Sequence, residues 1–410
     1  MQTNLSPEYQ GTADGQAAEA ILRKCVHCGF CTATCPTYQL LGDELDGPRG
    51  RIYLMKQVLE GAQPTRKTQL HLDRCLTCRN CETTCPSGVQ YGHLVDIGRK
   101  LVDAKVPRPM GENVLRWALK EGLPSPLFAP AMKMGQLVRE LLPASLKAKV
   151  PAPQNKGQWP TATHARKVLM LAGCVQPAMM PNINFATARV LDAAGIQTVL
   201  AQGEGCCGAV KYHLNDQTGG IANMRNNIDA WWPYIEPTDG QGVEAIVMNV
   251  SGCGAMVKDY GHILAGDPLY EAKAKRVSEL TRDLSELLPA LVQHLQPKLQ
   301  HKVDKLAYHP PCTLQHGQKL KGGVEAGLTA LGFEIQTACR DAHLCCGSAG
   351  TYSVMNPEIA TTLRDRKLEV LAEVNASTIV SANIGCITHL QSGTTTPVRH
   401  WVEVLDEALR

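Results

Sequence analysis

The sequence lacks several features that would place it in common functional classes. No run of apolar residues is long enough to span a bilayer, so no transmembrane helix is predicted. The N-terminal stretch has neither the basic nor the apolar region of a secretory signal, so we expect no export by the general secretory route. With a formal net charge of +3 and no dense block of Lys and Arg, nucleic acid is not expected as a partner.

Cysteine, by contrast, is plentiful. The chain has 17 cysteines in 410 residues. Without an export signal, we interpret them as metal ligands in a reducing compartment rather than as a disulfide framework. The chain is also longer than one hydrophobic core usually serves, so two or three domains are expected.

Two stretches share the spacing C-x2-C-x2-C-x3-C-P. They are CVHCGFCTATCP at 25–36 and CLTCRNCETTCP at 75–86. This is the spacing of bacterial two-cluster ferredoxins, in which three close cysteines bind one cluster and the fourth reaches the other. The pattern therefore predicts two [4Fe-4S] clusters. The expected ligands are Cys25, Cys28, Cys31 and Cys85 for the first cluster, and Cys75, Cys78, Cys81 and Cys35 for the second.

Zinc is the alternative metal that such cysteines bind. A structural zinc site takes four thiolates in C-x2-C pairs but has no use for a third cysteine and a Cys-Pro at these offsets, so zinc is disfavoured. Between the motifs, Ile52, Met55 and Val58 recur at helical spacing, which predicts a helical insert. Arg49 and Arg51 on this segment either offset the charge of eight thiolates or lie at the surface.

The remaining chain repeats itself. RKVLMLAGCVQP at 166–177 aligns with DKLAYHPPCTLQ at 304–315, and each is an apolar strand-like run that ends in a cysteine. A helical stretch, a Cys-Cys-Gly segment and a second apolar run ending in a cysteine follow in both halves. This pattern predicts an internal duplication of an α/β unit, which we name the CCG module.

Each CCG module carries four cysteines at predicted strand ends, where loops at one sheet edge can converge. They are Cys174, Cys206, Cys207 and Cys253 in the first module, and Cys312, Cys345, Cys346 and Cys386 in the second. Four thiolates suffice for one metal centre, so we expect a further iron-sulfur or zinc centre in at least one module; buried, inert cysteines are the alternative. His309, His343 and His389 have no counterparts in the first module and are interpreted as loop histidines rather than ligands. Cys339 belongs to neither pattern and is interpreted as a spare thiol.

A dinucleotide fingerprint can be set aside. Gly203, Gly205 and Gly208 spell G-x-G-x-x-G, but the matching segment of the second half keeps only the cysteines and the last glycine. No flavin or nicotinamide site is expected in this chain, and no catalytic residue is predicted.

A dicluster ferredoxin module followed by two CCG modules resembles the iron-sulfur subunits that include heterodisulfide reductase, anaerobic glycerol-phosphate dehydrogenase and lactate-utilisation proteins. Within that group, DRCLTCRNCETTCPSGV, LNDQTGGIANMRNNIDAWWP and HLCCGSAGTY are similar to glycolate oxidase iron-sulfur subunits. The resemblance implies an electron-transfer subunit of a flavin-linked 2-hydroxy-acid oxidoreductase. FAD-containing partner subunits would oxidise glycolate in a hetero-oligomeric complex, and a membrane quinone would accept the electrons.

Three alternatives remain open: the same role with a lactate or glycerol-phosphate donor, a CCG-type disulfide or quinone reductase, and an iron or redox sensor. Complete CCG modules end in C-x2-C, whereas here Met256 and His389 stand at the last position, which disfavours heterodisulfide chemistry. The sensor is disfavoured because no basic DNA-reading helix is found.

The predicted fold class is an α+β multidomain chain in which an α-helical dicluster ferredoxin domain precedes two duplicated α/β CCG modules. The expected divisions are an arm at 1–20, the ferredoxin domain at 21–106, a Pro-rich helical linker at 107–165, and CCG modules at 166–290 and 291–410. The apolar and basic segment at 122–151 could rest on an anionic bilayer or pack on a partner subunit. We expect a cytoplasmic protein, peripheral on the cytoplasmic face of the inner membrane.

Overall fold

A computed structural model describes residues 1–143, 147, 149–238, 240–300 and 305–410. A helical N-terminal region is followed by two four-stranded parallel sheets with their helices. This arrangement confirms the predicted fold class. Residues 144–146 and 148 of the apolar and basic segment lie outside the described residues, as does Asp304 at the start of the second repeat.

The N-terminal region is built from short helices around one apolar cluster. Its helices are Ala13–Lys24, Phe30–Ala33, Pro36–Leu41, Pro48–Leu59, Arg66–Asp73, Asn80–Thr84 and Tyr91–Lys105, with a 3-10 turn at Glu44–Asp46. Met55 of the helical insert is buried and packs against Gly98, where a Cβ atom would lie 2.4 Å from the Met55 sulfur. The close approach of these two helices therefore requires glycine at this position.

Two further helices, Met110–Gly122 and Phe128–Leu137, join this region to the sheets, with a 3-10 turn at Arg139–Leu141. Arg116 is the buried residue of the first helix, and its guanidinium donates to the Leu214 carbonyl at 3.2 Å. The helix is therefore fastened to the first CCG module. Among the described residues, no helix combines the length and apolar character needed to cross a membrane.

Each CCG module contains one parallel sheet with the same strand order. The strands are β1 Arg166–Met170, β2 Ile196–Val199, β3 Ile246–Met248 and β4 Thr281–Asp283, then β5 Leu306–Tyr308, β6 Ile335–Thr337, β7 Thr378–Ser381 and β8 Val398–His400. The orders are β2-β1-β3-β4 and β6-β5-β7-β8, all parallel. The buried residues of the central strands are mainly apolar because helices cover both faces. The predicted duplication is confirmed.

The two modules exchange helices. The helices are Gln176–Met179, Asn182–Ala193, Ala209–His213, Gln217–Ile235, Ser251–Lys258, Tyr260–Ile263, Glu271–Leu280 and Leu284–Leu295, then Gly323–Ala330, Tyr352–Met355, Pro357–Ala372, Ile384–Gln391 and Trp401–Ala408. A 3-10 turn at Gln296–Lys298 and a π-helical turn at Thr313–Gly317 complete them. Leu284–Leu295, after β4, packs on Gly323–Ala330 of the second module, and Trp401–Ala408, after β8, packs on Asn182–Ala193 of the first.

This reciprocal packing gives the modules one continuous apolar core, to which Val168, Leu288, Leu328 and Val402 contribute. An ion pair between Arg189 of the first module and Asp406 of the second, at 2.7 Å, joins the modules beside this core. The helix Leu284–Leu295 runs through residue 290, so we propose that the modules divide after this helix.

Candidate functional site: four sets of cysteines

The two ferredoxin-type motifs adopt the same backbone. The second residue after the first cysteine is left-handed in both loops, His27 with φ 55° and Thr77 with φ 51°. The residue after the second cysteine is also left-handed, Gly29 with φ 86° and Arg79 with φ 58°. Each loop then enters a short helix that carries the third cysteine. The fourth cysteine is extended in both motifs, as the following proline requires, and so leaves its own loop.

The first cavity lies at the first motif. Its lining contains five cysteines, which are Cys25, Cys28, Cys31 and Cys85 together with Cys81. Cys28 is exposed, and the neighbouring Val26 and Phe30 are 68% and 61% exposed. This cavity therefore opens to the surface.

The second cavity is lined by the four cysteines Cys35, Cys75, Cys78 and Cys81. Cys81, Pro48 and Tyr91 line both cavities. The two cavities thus adjoin through a shared wall. In each, the fourth cysteine of one motif joins the first three of the other, as in the predicted exchange.

The sulfur spacing suits a cluster better than a single ion. Among the described residues, neither cavity has three cysteine sulfurs within 4.8 Å of one another, whereas a tetrahedral zinc would hold sulfurs about 3.8 Å apart. Burial, followed by the neighbouring Cys25, raises the pKa of the Cys31 thiol to about 11. Four cysteines at this wider spacing can bind the irons of a cluster, so the residues present fit an iron-sulfur cluster.

Two buried arginines act on the second cavity. Burial opposes ionisation of the Cys75 thiol, but the guanidinium groups of Arg51 and Arg99 outweigh it and lower the pKa of this thiol. Arg51 is 1% exposed and donates to the His71 carbonyl at 2.7 Å, while Arg99 donates to the Cys75 carbonyl at 2.6 Å. The fixed positive charge favours a negatively charged group in this cavity.

Arg49 and Arg51 differ in role, which the sequence left open. Arg49 lies near the surface by the first cavity and pairs with Glu44 at 2.6 Å. Arg51 forms a buried pair with Asp46 at 3.5 Å and donates to Thr37, whose hydroxyl lies 3.3 Å from the Cys35 sulfur. The offset of thiolate charge is therefore mainly the work of Arg51.

The CCG cysteines lie where the carboxyl ends of parallel strands meet. Cys174, Cys206 and Cys253 follow β1, β2 and β3, three neighbouring strands of the first sheet. The second sheet places its cysteines in the same way. In the second module the Cys312 and Cys345 sulfurs lie 3.7 Å apart, and in the first a hydrogen bond to Cys206 raises the pKa of the Cys174 thiol. Both predicted sets are thus brought together.

The glycine of each Cys-Cys-Gly segment has a steric reason. Gly208 and Gly347 have φ angles of 90° and 89°, and each backbone N–H donates to the sulfur two residues earlier at 3.4 Å. A Cβ atom would lie 2.7 Å from the Gly220 carbonyl oxygen in the first module and 2.4 Å from that of Ala360 in the second. Only glycine leaves room for this turn.

The second CCG module covers the second cavity. Leu76 and Cys78 pack in one apolar cluster with Cys312, Cys345 and Tyr352. The Tyr352 hydroxyl donates to the Arg74 carbonyl at 3.0 Å. The cysteine set of this module therefore lies directly behind the second cavity.

The histidines near this set differ from one another in burial and secondary structure, and the expectation of a loop residue is wrong for His389. His389 lies in a helix and bonds through Nε2 to the Ala360 carbonyl at 3.0 Å, and His343 is half-buried. His309, at the end of β5, is 1% exposed, and its ring lies within 4.8 Å of the Cys346 and Cys386 sulfurs. The sequence carries a signal for this: His309 aligns with the buried Leu171 of the first module, so a polar side chain replaces an apolar one in a core position.

Comparison with known families agrees with both halves of this description. Residues 21–89 match the family described as "4Fe-4S dicluster domain", and residues 168–258 and 306–391 match that described as "Cysteine-rich domain". These matches support iron-sulfur binding by the chain.

Two of the relatives compared are similar over nearly the whole chain, and a third is similar over 58% of it. The glycolate oxidase iron-sulfur subunit of Escherichia coli (strain K12) is 57% identical over 100% of this chain and 99% of its own length. A probable glycolate oxidase iron-sulfur subunit of Bacillus subtilis (strain 168) is 29% identical over 92% of this chain and 89% of its own. The lactate utilization protein A of Anoxybacillus flavithermus is 28% identical over 58% of this chain and 98% of its own.

Proposed function

Because this chain belongs to the family of glycolate oxidase iron-sulfur subunits, we propose that it relays electrons from FAD-containing subunits, which oxidise glycolate, towards a membrane quinone. The observation that carries the proposal is the pair of adjoining cysteine-lined cavities with a shared wall. Two [4Fe-4S] clusters would supply one-electron redox chemistry there. The chain positions and shields them.

The cavity linings and the motif spacing support the proposed ligand sets. We assign Cys25, Cys28, Cys31 and Cys85 to one cluster, and Cys75, Cys78, Cys81 and Cys35 to the other, with Cys81, which lines both cavities, kept in the set of its own motif. The wall shared by Cys81, Pro48 and Tyr91 keeps the two sites in contact, which suits electron exchange between them.

Iron and acid-labile sulfide analysis tests these ligand sets. Anaerobically purified wild type should contain about eight irons in the two clusters, with two interacting EPR signals after dithionite reduction. Cys85→Ser should remove the first cluster and Cys35→Ser the second, each lowering the iron content by about four. Cys339→Ser, which changes an exposed thiol outside the sets, is the matched control. If Cys35→Ser and Cys25→Ser abolished the same signal, the exchange of fourth ligands would be wrong.

The first cavity is the side at which we place the flavin partner. Cys28 is exposed there, and Val26 and Phe30 present apolar surface beside it. Exposed apolar side chains around a redox site fit a protein interface. The second cavity is covered by the second CCG module, so a partner reaches it less directly.

A second exposed apolar surface lies on the helices after the ferredoxin region. Its most exposed members are Met110, Trp117, Leu127, Met134, Leu137 and Leu141. We propose that it packs on a partner subunit, through which the complex sits at the cytoplasmic face of the inner membrane. Liposome flotation separates the two sources of attachment: the complex should float, whereas the isolated chain should stay in solution. Flotation of the isolated chain, abolished by Trp117→Ser with Leu137→Ser, would favour direct contact with lipid.

Glycolate is proposed as the donor substrate on the strength of the 57% identical relative. A lactate or glycerol-phosphate donor is the alternative, since the same relay serves any flavin-linked dehydrogenase. The reconstituted complex should reduce a quinone analogue with glycolate faster than with lactate, and the isolated chain should oxidise neither. Glycolate oxidation by this chain without flavin subunits would refute the relay.

A further inference from the structure

The second CCG module contains a buried imidazole that no hydrogen bond explains. His309 is 1% exposed, and among the described histidines with a buried ring nitrogen it is the one in which both nitrogens lack a partner. Burying an imidazole without hydrogen-bond partners is energetically unfavourable. A ligand at the ring would remove that cost.

The ring faces two thiols. His309, Cys346 and Cys386 offer three donor atoms within 4.8 Å of one another, all from buried residues. The His309 backbone is fixed between β5 and β7, since its N–H donates to the Val380 carbonyl at 2.8 Å and its carbonyl accepts from Ser381 at 2.9 Å. The imidazole is therefore held against the sulfurs by the sheet itself.

We propose that His309, Cys346 and Cys386 bind one zinc ion, with a remaining sulfur from the adjoining Cys312 and Cys345 pair. A tetrahedral zinc site uses nitrogen and sulfur donors about 3.5–3.8 Å apart, and the three donors already lie near that spacing. The ferredoxin cavities, where no three sulfurs come so close, suit clusters instead. The site is closed by protein on all sides, as structural zinc sites are.

A buried cation beside the site agrees with its charge. Three thiolates and a neutral imidazole around zinc carry one net negative charge. Lys367 is 3% exposed, donates to the Asp341 carbonyl at 2.5 Å, and lies near Cys346 and Cys345. A buried ammonium of this kind is stabilised by an anionic centre.

The first CCG module lacks this nitrogen donor. The position of His309 is taken there by Leu171, an apolar residue that is 3% exposed. The duplicated modules therefore differ at one of the residues proposed to bind the metal. This inference does not depend on the proposed donor or acceptor of electrons.

The test is zinc analysis with zinc-edge X-ray absorption on the anaerobically purified full chain. Wild type should hold about one tightly bound zinc, with imidazole scattering and about three sulfur neighbours. His309→Leu, which copies the first module, should lose the zinc while the ferredoxin EPR signals remain. His343→Leu, the same change at a half-buried histidine near the set, should keep both.

A second variant keeps the proposal testable if His309→Leu fails to fold. His309→Cys should retain zinc with a fourth sulfur and without imidazole scattering. Zinc and its imidazole scattering unchanged in His309→Leu would overturn the proposal. Iron in place of zinc at the site in wild type, or retention of imidazole scattering in His309→Cys, would overturn it as well.

Discussion

The two ferredoxin cavities use the same motif in two different surroundings. Around the first, Cys28, Val26 and Phe30 reach the surface. Around the second, Arg51 and Arg99 are buried and the second CCG module lies behind the cysteines. Identical cysteine spacing therefore leaves access and charge undetermined; the elements packed around each loop set both.

Because of this difference, we propose that the two cavities have different roles in electron transfer. Access suits the first cavity to exchange electrons with a partner. Positive charge stabilises the more negative, reduced state of a cluster, so a cluster in the second cavity should have the higher reduction potential. Electrons would then run from the open cavity to the covered one.

The largest expected effect comes from the buried arginine. Arg51→Met removes the hydrogen bonds to Thr37 and to the His71 carbonyl, and it removes one ion-pair partner of Asp46. The free energy of unfolding should therefore fall by about 3 kcal/mol. Arg49→Met is the matched control: its pair with Glu44 is exposed, and the loss should stay under about 1 kcal/mol. Denaturant unfolding under anaerobic conditions measures both. Equal losses would mean that the two arginines are equivalent.

The same two variants should separate the cluster potentials. A buried charge acting through an effective dielectric near 20 contributes about 1–3 kcal/mol, which is roughly 40–130 mV for a one-electron couple. Arg51→Met should lower the potential of the second cluster by this amount, and Arg49→Met should change the first by less. EPR-monitored redox titration would show it, and a higher potential in Arg51→Met would reverse our assignment.

Removing the apolar side chain at the open cavity should weaken partner binding. Phe30→Ser should raise the dissociation constant for the flavin subunits about tenfold, or about 1.4 kcal/mol, with iron content unchanged. Tyr53→Ser, also at an exposed aromatic residue but outside the cavity lining, serves as the control. Loss of binding in both variants, or in neither, would place the interface elsewhere.

The smallest expected effect is the pH dependence of a contact beside the covered cavity. Arg79 of the second motif pairs with Asp259 of the first CCG module at 2.7 Å, and His93 stacks on His262 with centroids 3.9 Å apart. Burial, followed by the charge of His93, lowers the pKa of His262. Its contribution to stability is therefore present above the unfolded pKa of about 6.5 and is lost as pH falls below that value.

His262→Phe keeps the stack but takes up no proton. Its stability should vary less than that of wild type between about pH 7 and pH 5, by under about 1 kcal/mol. Thermal unfolding across this range measures the difference. Identical pH profiles would show that protonation of His262 does not change the stability of the folded protein.

The cysteine spacing and the repeat predict which cysteines lie near one another because both follow from local rules. The x-C-P ending directs the fourth cysteine out of its loop, and the ends of parallel strands meet at one edge. The difference between Arg49 and Arg51 was also within reach: Arg51 shares the helix face of Met55 and Val58, whereas Arg49 lies two positions earlier, on another face.

The exchange of helices between the CCG modules could not be predicted from the sequence. Leu284–Leu295 shows an apolar face, but such a face does not say which helix covers it, and the internal repeat makes the two candidate partners alike. The role of His309 was missed for a related reason, since a histidine after a strand is commonly a loop residue. Its alignment with Leu171 is the signal that separates the two cases.

The crossing of the fourth cysteines also governs how the protein can be made. Under the proposed ligand sets, Cys85 completes the first cluster and Cys81 the second, and both cysteines belong to the second motif. Neither cluster can therefore gain all its ligands before the second motif has left the ribosome. The segment containing Tyr352, which covers the second cavity, is translated later still, so a cluster inserted during synthesis would be open to oxygen until the C-terminal third has folded over it.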